Sequence, residues 1–171
     1  GVAETLDWIA ALVALDRDNP QVSEAAMKYF VLGSIASGLL LYGMSMVYGA
    51  TGSLQFDAIY AAAGQTDSPY MFKLGVAFML AGIAFKFGAA PFHMWLPDVY
   101  QGAPTAVVAF ISSAPKLAAF AMAYRLLESA AGFASVDWVP LVAGLSALSL
   151  LLGNLMALVQ TNFKRLLAYS T

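Results

Sequence analysis

Lys86 and Lys116 carry the most distinctive chemistry in this sequence because of where they stand. Lys86 is the thirteenth residue of the 23-residue apolar run Leu74–Leu96, and Lys116 is the twelfth of the 23-residue run Thr105–Leu127. In a bilayer both would lie near mid-membrane, where one lysine costs about 2.5–3.5 kcal/mol to insert and the pair about 5–7 kcal/mol. Snorkelling is the structural alternative, since a four-carbon stem lets an ammonium lean toward the headgroups. The interface is about 15 Å from mid-span, half of a core roughly 30 Å thick, and snorkelling alone does not cover that distance. A polar interior that puts the two charges to use explains them better.

Two prolines strengthen this expectation. Pro91 lies five residues after Lys86, and Pro115 lies immediately before Lys116. Each removes a helix hydrogen bond, leaving the carbonyls of Phe87 and Ile111 without their usual partners. Freed backbone groups at membrane depth are tolerated where protein or water satisfies them. Ser112 and Ser113 precede Lys116 by four and three residues, on the same helix face, and are placed to hold water or a relay hydrogen bond. A desolvated lysine can load and release a proton when a neighbouring charge changes. These residues together point to a proton relay through Lys86 and Lys116.

The other polar residues divide between function and structure. Lys28 stands one turn after Glu24 at a span entrance, the spacing of an i,i+4 ion pair. His93 is placed either to pass protons between Lys86 and the surface or to act as a capped interfacial histidine. Tyr48, Trp95, Tyr100 and Trp138 lie near span ends and are expected to form an interfacial belt. The small residues from Gly33 to Gly38 predict close helix packing, and Asn154 a packing hydrogen bond.

Positioning such lysines requires membrane-spanning elements, and the composition supplies them. Apolar side chains make up 61% of the 171 residues and charged ones 11%, against about 25% charged in soluble domains, so the chain is read as an all-α integral membrane protein, a polytopic helix bundle in a lipid bilayer. Four runs reach the roughly 20 residues that a span needs: Tyr29–Ala50, Leu74–Leu96, Thr105–Leu127 and Trp138–Val159. The first and last hold no charge. Thr51–Pro69 is expected to be an external loop, and Ser129–Asp137 a shorter polar break. Residues 1–21 read as a helix end and loop, and both chain ends as truncated neighbours of a larger bundle.

Arg17, Lys28, Lys164 and Arg165 fall on one side of these spans and Lys73 and Arg125 on the other, which makes the first side cytoplasmic by the positive-inside rule. A net charge of -2 provides no footprint for nucleic acid. No signal peptide is recognisable at the amino end. Without cysteine there is no thiolate or iron–sulfur ligand, and the single histidine cannot assemble a metal or haem site by itself. No cofactor is expected in this chain.

Four motifs carry a family resemblance. The run Phe85–Pro104, reading FKFGAAPFHMWLPDVYQGAP, resembles the signature of the antiporter-like membrane subunits of NADH-quinone oxidoreductase (respiratory complex I), and its Asp98–Pro104 portion resembles the N-type subunits. Glu24–Gly33 (EAAMKYFVLG), Ser113–Ala118 (SAPKLA) and Gln160–Ser170 (QTNFKRLLAYS) extend the resemblance across residues 22–171. It implies a fourteen-helix subunit with a broken seventh helix, of which this chain holds four full spans and the start of a fifth. It also implies that Lys86 is the pump lysine and Lys116 the connecting lysine, with the retained lysines Lys28 and Lys164 and with His93 as further members of the proton relay, and Glu24 as an additional candidate. In that family a fifth-helix glutamate pairs with the pump lysine. Glu4 is the nearest candidate, but its surroundings lack the usual Glu-Leu motif and its spacing to Glu24 is one residue short.

The resemblance further implies a non-redox subunit of a translocase. Such a subunit couples electron transfer from NADH to quinone with proton transfer, alongside the other membrane subunits of complex I in a bacterial inner membrane. Flavin, iron–sulfur clusters and quinone are then expected in partner subunits. The alternative is a subunit of a multisubunit cation/proton antiporter. A purely structural bundle, in which both lysines would tolerate leucine, ranks last.

Overall fold

The computed structural model describes residues 9–14, 18–132 and 135–171, and among these the regular structure is helical throughout. Residues 9–13 form a short helical stretch. Helix α1, Pro20–Thr51, follows; proline suits its first turn, and the Asn19 side chain accepts a 3.0 Å hydrogen bond from the Gln21 amide. Its 32 residues extend about 48 Å at 1.5 Å per residue, more than a bilayer core requires. The connection to the next span is not wholly irregular, because it contains the short helix α2, Phe56–Ala63, which buries Ile59 and Ala63.

Helix α3, Pro69–Phe87, packs along α1 at backbone distance. A Cβ on Gly43 would lie 2.6 Å from the Gly75 carbonyl oxygen, and one on Gly82 would lie 2.9 Å from that of Ala36. Small residues thus let the two backbones meet, as expected for the Gly33–Gly38 stretch and continuing beyond it. Helix α5, Thr105–Tyr124, runs on through Pro115 and ends in a π-helical turn, Arg125–Ala130. There the Arg125 guanidinium lies 5.8 Å from the Phe56 ring centre, tying the end of α5 to α2. Helix α6 is Ser135–Leu158. The last helix, α7, Phe163–Ser170, is capped by Asn162, whose side chain accepts from the amides of Lys164 and Arg165.

The helices long and apolar enough to span a membrane are Pro20–Thr51, Pro69–Phe87, Thr105–Ala130 and Asp137–Leu158. Four spans are therefore present among the described residues where four were expected, but the second is not the continuous run Leu74–Leu96. It stops at Phe87, because Gly88 adopts the left-handed conformation (φ 73°, ψ 29°) and the Gly88 and Ala89 amides fold back onto the carbonyls of Phe85 and Ala84. The Ala90–Pro91 peptide is cis, and helix resumes only at Trp95 as α4, Trp95–Gly102. A residue with a Cβ at position 88 would strike the Leu96 side chain. Lys86 consequently sits in the last turn of a helix rather than in the middle of one.

The break also changes the role of two aromatic residues. Trp95 and Tyr100, expected at the interface, are 3% and 1% exposed. With its span ending eight residues earlier, Trp95 lies in the interior, where its indole N–H donates to the Phe85 carbonyl at 3.1 Å and its ring stacks on Phe85 and meets Tyr29 edge-on. Tyr48 is exposed and Trp138 half-buried, positions compatible with a belt.

Gly43→Ala is expected to force α1 and α3 apart, because the new methyl would meet the Gly75 carbonyl oxygen and the Met79 amide nitrogen as well as the Met79 side chain, and the backbone atoms cannot swing aside. The expected cost is about 1–3 kcal/mol, measured as a lowered thermal unfolding midpoint of the full-length subunit in detergent; an unchanged midpoint would show that the two helices are not held at backbone distance.

Candidate functional site

The broken span and the proline-bearing helix α5 create two cavities, each with one of the two lysines in its wall. Lys86, half-buried at the C-terminal end of α3, lines a cavity of about 180 Å³ with Tyr29, Trp95, Ile111, Pro115 and Ala119. A helix C-terminus carries partial negative charge, so the break gives the ammonium a more favourable place than mid-helix. Lys116, also half-buried, lines a second cavity of about 210 Å³ with His93, Ser149, Gly153, Tyr169 and Thr171.

The cavities are adjacent in the chain at two points: Lys86 borders the first and Phe87 the second, while Pro115 borders the first and Lys116 the second. The helix end and the proline turn thus pass along both. Among the described residues, Lys116 Nζ and His93 Nδ1 are buried atoms without a hydrogen-bond partner. The second cavity has room for several waters, which would satisfy both. The His93 imidazole faces the Tyr169 ring, their centres 6.1 Å apart. His93 is thereby placed with Lys116 rather than between Lys86 and the surface.

Ser112 and Ser113 do not form the relay foreseen for them. Both hydroxyls donate to the Ala109 carbonyl, at 2.9 and 2.8 Å, and neither lines the Lys116 cavity. Asn154 likewise bonds within its own helix, to the Leu150 carbonyl, instead of to a neighbouring one.

At the end of the bundle where α1 begins, charges from α1, α4 and α7 meet. The exposed Lys28 ammonium lies 2.7 Å from Glu24, the expected i,i+4 pair, and 2.8 Å from Asp98 on α4. The other Asp98 oxygen receives a 3.0 Å bond from the Arg165 guanidinium on α7, which also reaches Gln101. Burial pushes the Asp98 carboxyl up, but the hydrogen bonds and charges of Lys28 and Arg165 outweigh it and hold the group below its ordinary value. Lys164 donates to the Ala103 carbonyl at the C-terminus of α4, at 3.0 Å. Lys28, Glu24 and Lys164 therefore fasten α1, α4 and α7 together, and none of them lines either lysine cavity.

At the opposite end Lys73 pairs with Asp137 at 3.0 Å. The structure thus groups Lys28 with Arg165 and separates them from Lys73, as the distribution of basic residues implied; Arg17 lies outside the described residues. Glu4 also lies outside them, although Ile9, five residues on, lines the Lys86 cavity.

Three residues with structural consequence escaped the sequence reading. Asp98 entered only as a motif letter and Arg165 only as a motif letter and a loop charge; a carboxylate at the bundle end that holds Lys28 and Arg165 was the available signal. Ser149 was passed over within an apolar helix, and its hydroxyl accepts a 2.9 Å bond from the Ala90 amide.

Known proteins share this fold. The family model described as "NADH:quinone oxidoreductase/Mrp antiporter, TM" matches residues 7–171, beginning before residue 22, where the recognisable motifs start. The NADH-quinone oxidoreductase subunit N of Xanthomonas euvesicatoria pv. vesicatoria is 65% identical over 161 residues, covering 94% of this chain and 33% of that protein. The protein of the same name from Halorhodospira halophila is 61% identical over 160 residues, with the same coverage of each. The chain thus spans about a third of the length of the curated relatives it matches.

A chain of the respiratory complex I structure from Thermus thermophilus with bound aureothin superimposes with a TM-score of 0.79 at 41% identity, covering 98% of this chain and 36% of that one. A chain of the membrane-bound sulfane sulfur reductase, an archaeal respiratory membrane complex, gives 0.84 at 32% identity, covering 98% and 34%. By its family match over residues 7–171, this chain belongs to the NADH:quinone oxidoreductase/Mrp antiporter transmembrane family.

Proposed function

We propose that this chain is the central part of a proton-translocating subunit of NADH-quinone oxidoreductase, with Lys86 and Lys116 as the groups that hold and pass the proton. The observation that carries the proposal is the buried Lys116 Nζ, unpartnered among the described residues, on a residue that lines a cavity together with His93, whose Nδ1 is likewise unpartnered. An apolar packing role would gain nothing from such a group, whereas a group that changes protonation needs space for water and freedom from a fixed ion pair.

In this reading Lys86 receives charge at the helix break, and its occupancy changes the energy of the ammonium at Lys116 in the adjoining cavity. His93, whose imidazole can both accept and donate a proton, exchanges it with Lys116 through water in that cavity. The ion pairs of Lys28, Glu24, Asp98 and Arg165, with the Lys164 contact, keep α4 fixed while the charge moves. Flavin, iron–sulfur clusters and quinone belong to partner subunits, with this subunit in the inner membrane among the other membrane subunits of the complex. The family description also names the Mrp antiporter, which makes a cation/proton antiporter subunit the second reading. The 65% and 61% identical relatives bear the oxidoreductase name and favour the first. Co-purification of the native subunit with flavin and iron–sulfur proteins would support the first reading, and with small antiporter subunits alone the second.

Lys86→Ala in the full-length subunit of the assembled complex is expected to lower NADH-driven proton uptake into membrane vesicles at least about tenfold, while NADH oxidation by an artificial acceptor at the redox arm stays at the parental rate. Parental proton uptake would remove Lys86 from the relay. Lys116→Arg supplies a cation that does not release its proton. It is expected to depress proton uptake as deeply as Lys116→Ala, and normal uptake in the arginine variant would show that only a fixed positive charge is required there.

A further inference from the structure

The break between α3 and α4 leaves a backbone donor that neither helix satisfies. The amides of Gly88 and Ala89 bond back into α3, Pro91 has no amide hydrogen, and the Phe92 amide bonds to the Ala89 carbonyl. The Ala90 amide, on a residue only 3% exposed, instead donates 2.9 Å to Ser149 Oγ, 59 residues away on α6. The Ser149 hydroxyl donates its own hydrogen to the Leu145 carbonyl at 2.7 Å, which leaves its lone pairs directed to Ala90.

General packing does not explain this contact. Among the described residues none of the apolar stretch of Asp137–Leu158 is buried, and Ser149 meets the break through a hydrogen bond rather than through apolar enclosure. Ser149 also lines the Lys116 cavity, and Ala90 precedes His93 by three residues.

We propose that Ser149 is a positioning residue for proton transfer: from α6 it anchors the broken segment at Ala90 and so holds His93 at the Lys116 cavity. It exchanges no proton with the relay and acts through the backbone of the break. The proposal rests on the functional reading above, in which Lys116 and His93 belong to the relay.

The test uses full-length subunits in the assembled complex with Ser149→Ala and Ser149→Thr. In Ser149→Ala, hydrogen exchange at the Ala90 amide is expected to quicken and proton uptake to fall, each about fivefold, as for loss of one hydrogen bond. The pH profile of uptake is expected to shift as well, because His93 no longer faces Lys116 in a fixed geometry. Ser149→Thr, which keeps the hydroxyl, is expected to restore exchange and profile together.

Parental exchange and pH profile in Ser149→Ala would overturn the proposal, as would faster exchange with an unaltered profile or failure of threonine to restore either. Lys116→Ala in the same preparation separates the two claims. If it pumps at the parental rate, the functional reading fails on its own, and so does the positioning role, even if exchange still shows the anchor. If it loses pumping while Ser149→Ala behaves as the parent, only the positioning role fails.

Discussion

Hydrocarbon offers no hydrogen bonds, and this constraint bears hardest on the segment from Lys86 to Trp95. Within a few residues it carries an ammonium, an imidazole and several backbone groups released by a helix end and a proline. Leaving them to lipid would cost several kcal/mol for each unsatisfied group. The fold meets the requirement by burying the break among other helices. The Trp95 indole satisfies the Phe85 carbonyl, Ser149 satisfies the Ala90 amide, and the side chains with open hydrogen-bonding capacity face cavities. What a continuous helix achieves through its own ladder is here distributed over three spans.

The remainder of the structure maintains that arrangement. Backbone contact through Gly43, Gly75 and Gly82 fixes α3 against α1, so the end of α3 has a defined position. Pro115 interrupts the ladder of α5 where it passes the break, and its neighbour Lys116 turns into the second cavity. On the far side of the break, α4 buries Trp95, Leu96, Val99 and Tyr100, and ionic contacts and the Ala103 carbonyl fasten it further to α1 and α7. Apolar packing thus secures both halves of the interrupted span, and polar contacts reinforce the second.

The sequence reveals the parts of this design that depend on composition and long runs. Four spans, two intramembrane lysines and the Lys28–Glu24 pair are legible because each rests on local spacing. The break is legible in the FKFGAAP resemblance but not in hydropathy, since Gly88 and Pro91 interrupt an apolar run without making it polar, and hydropathy cannot tell that Gly88 adopts a left-handed conformation. That misplaced helix end also misplaced Trp95. Contacts between distant segments are not legible at all: Asp98 meets Lys28 and Arg165 across 70 and 67 residues, and Ala90 meets Ser149 across 59. Ser112 and Ser113 show the converse, since the expected helix face is correct and yet both hydroxyls are taken by the Ala109 carbonyl one turn back.

The ion-paired side chains joining α1, α4 and α7 are two cations, Lys28 and Arg165, and two carboxylates, Glu24 and Asp98, so their formal charges cancel, while Lys164 binds a carbonyl instead. A neutral quartet has a potential that fades with distance much faster than that of a lone ion. Firm attachment is thereby obtained without an electrostatic bias reaching into the membrane. In the proposed reading, a mobile charge deeper inside then owes its energy to its immediate surroundings, and the mechanical support at that end can vary in strength without retuning it.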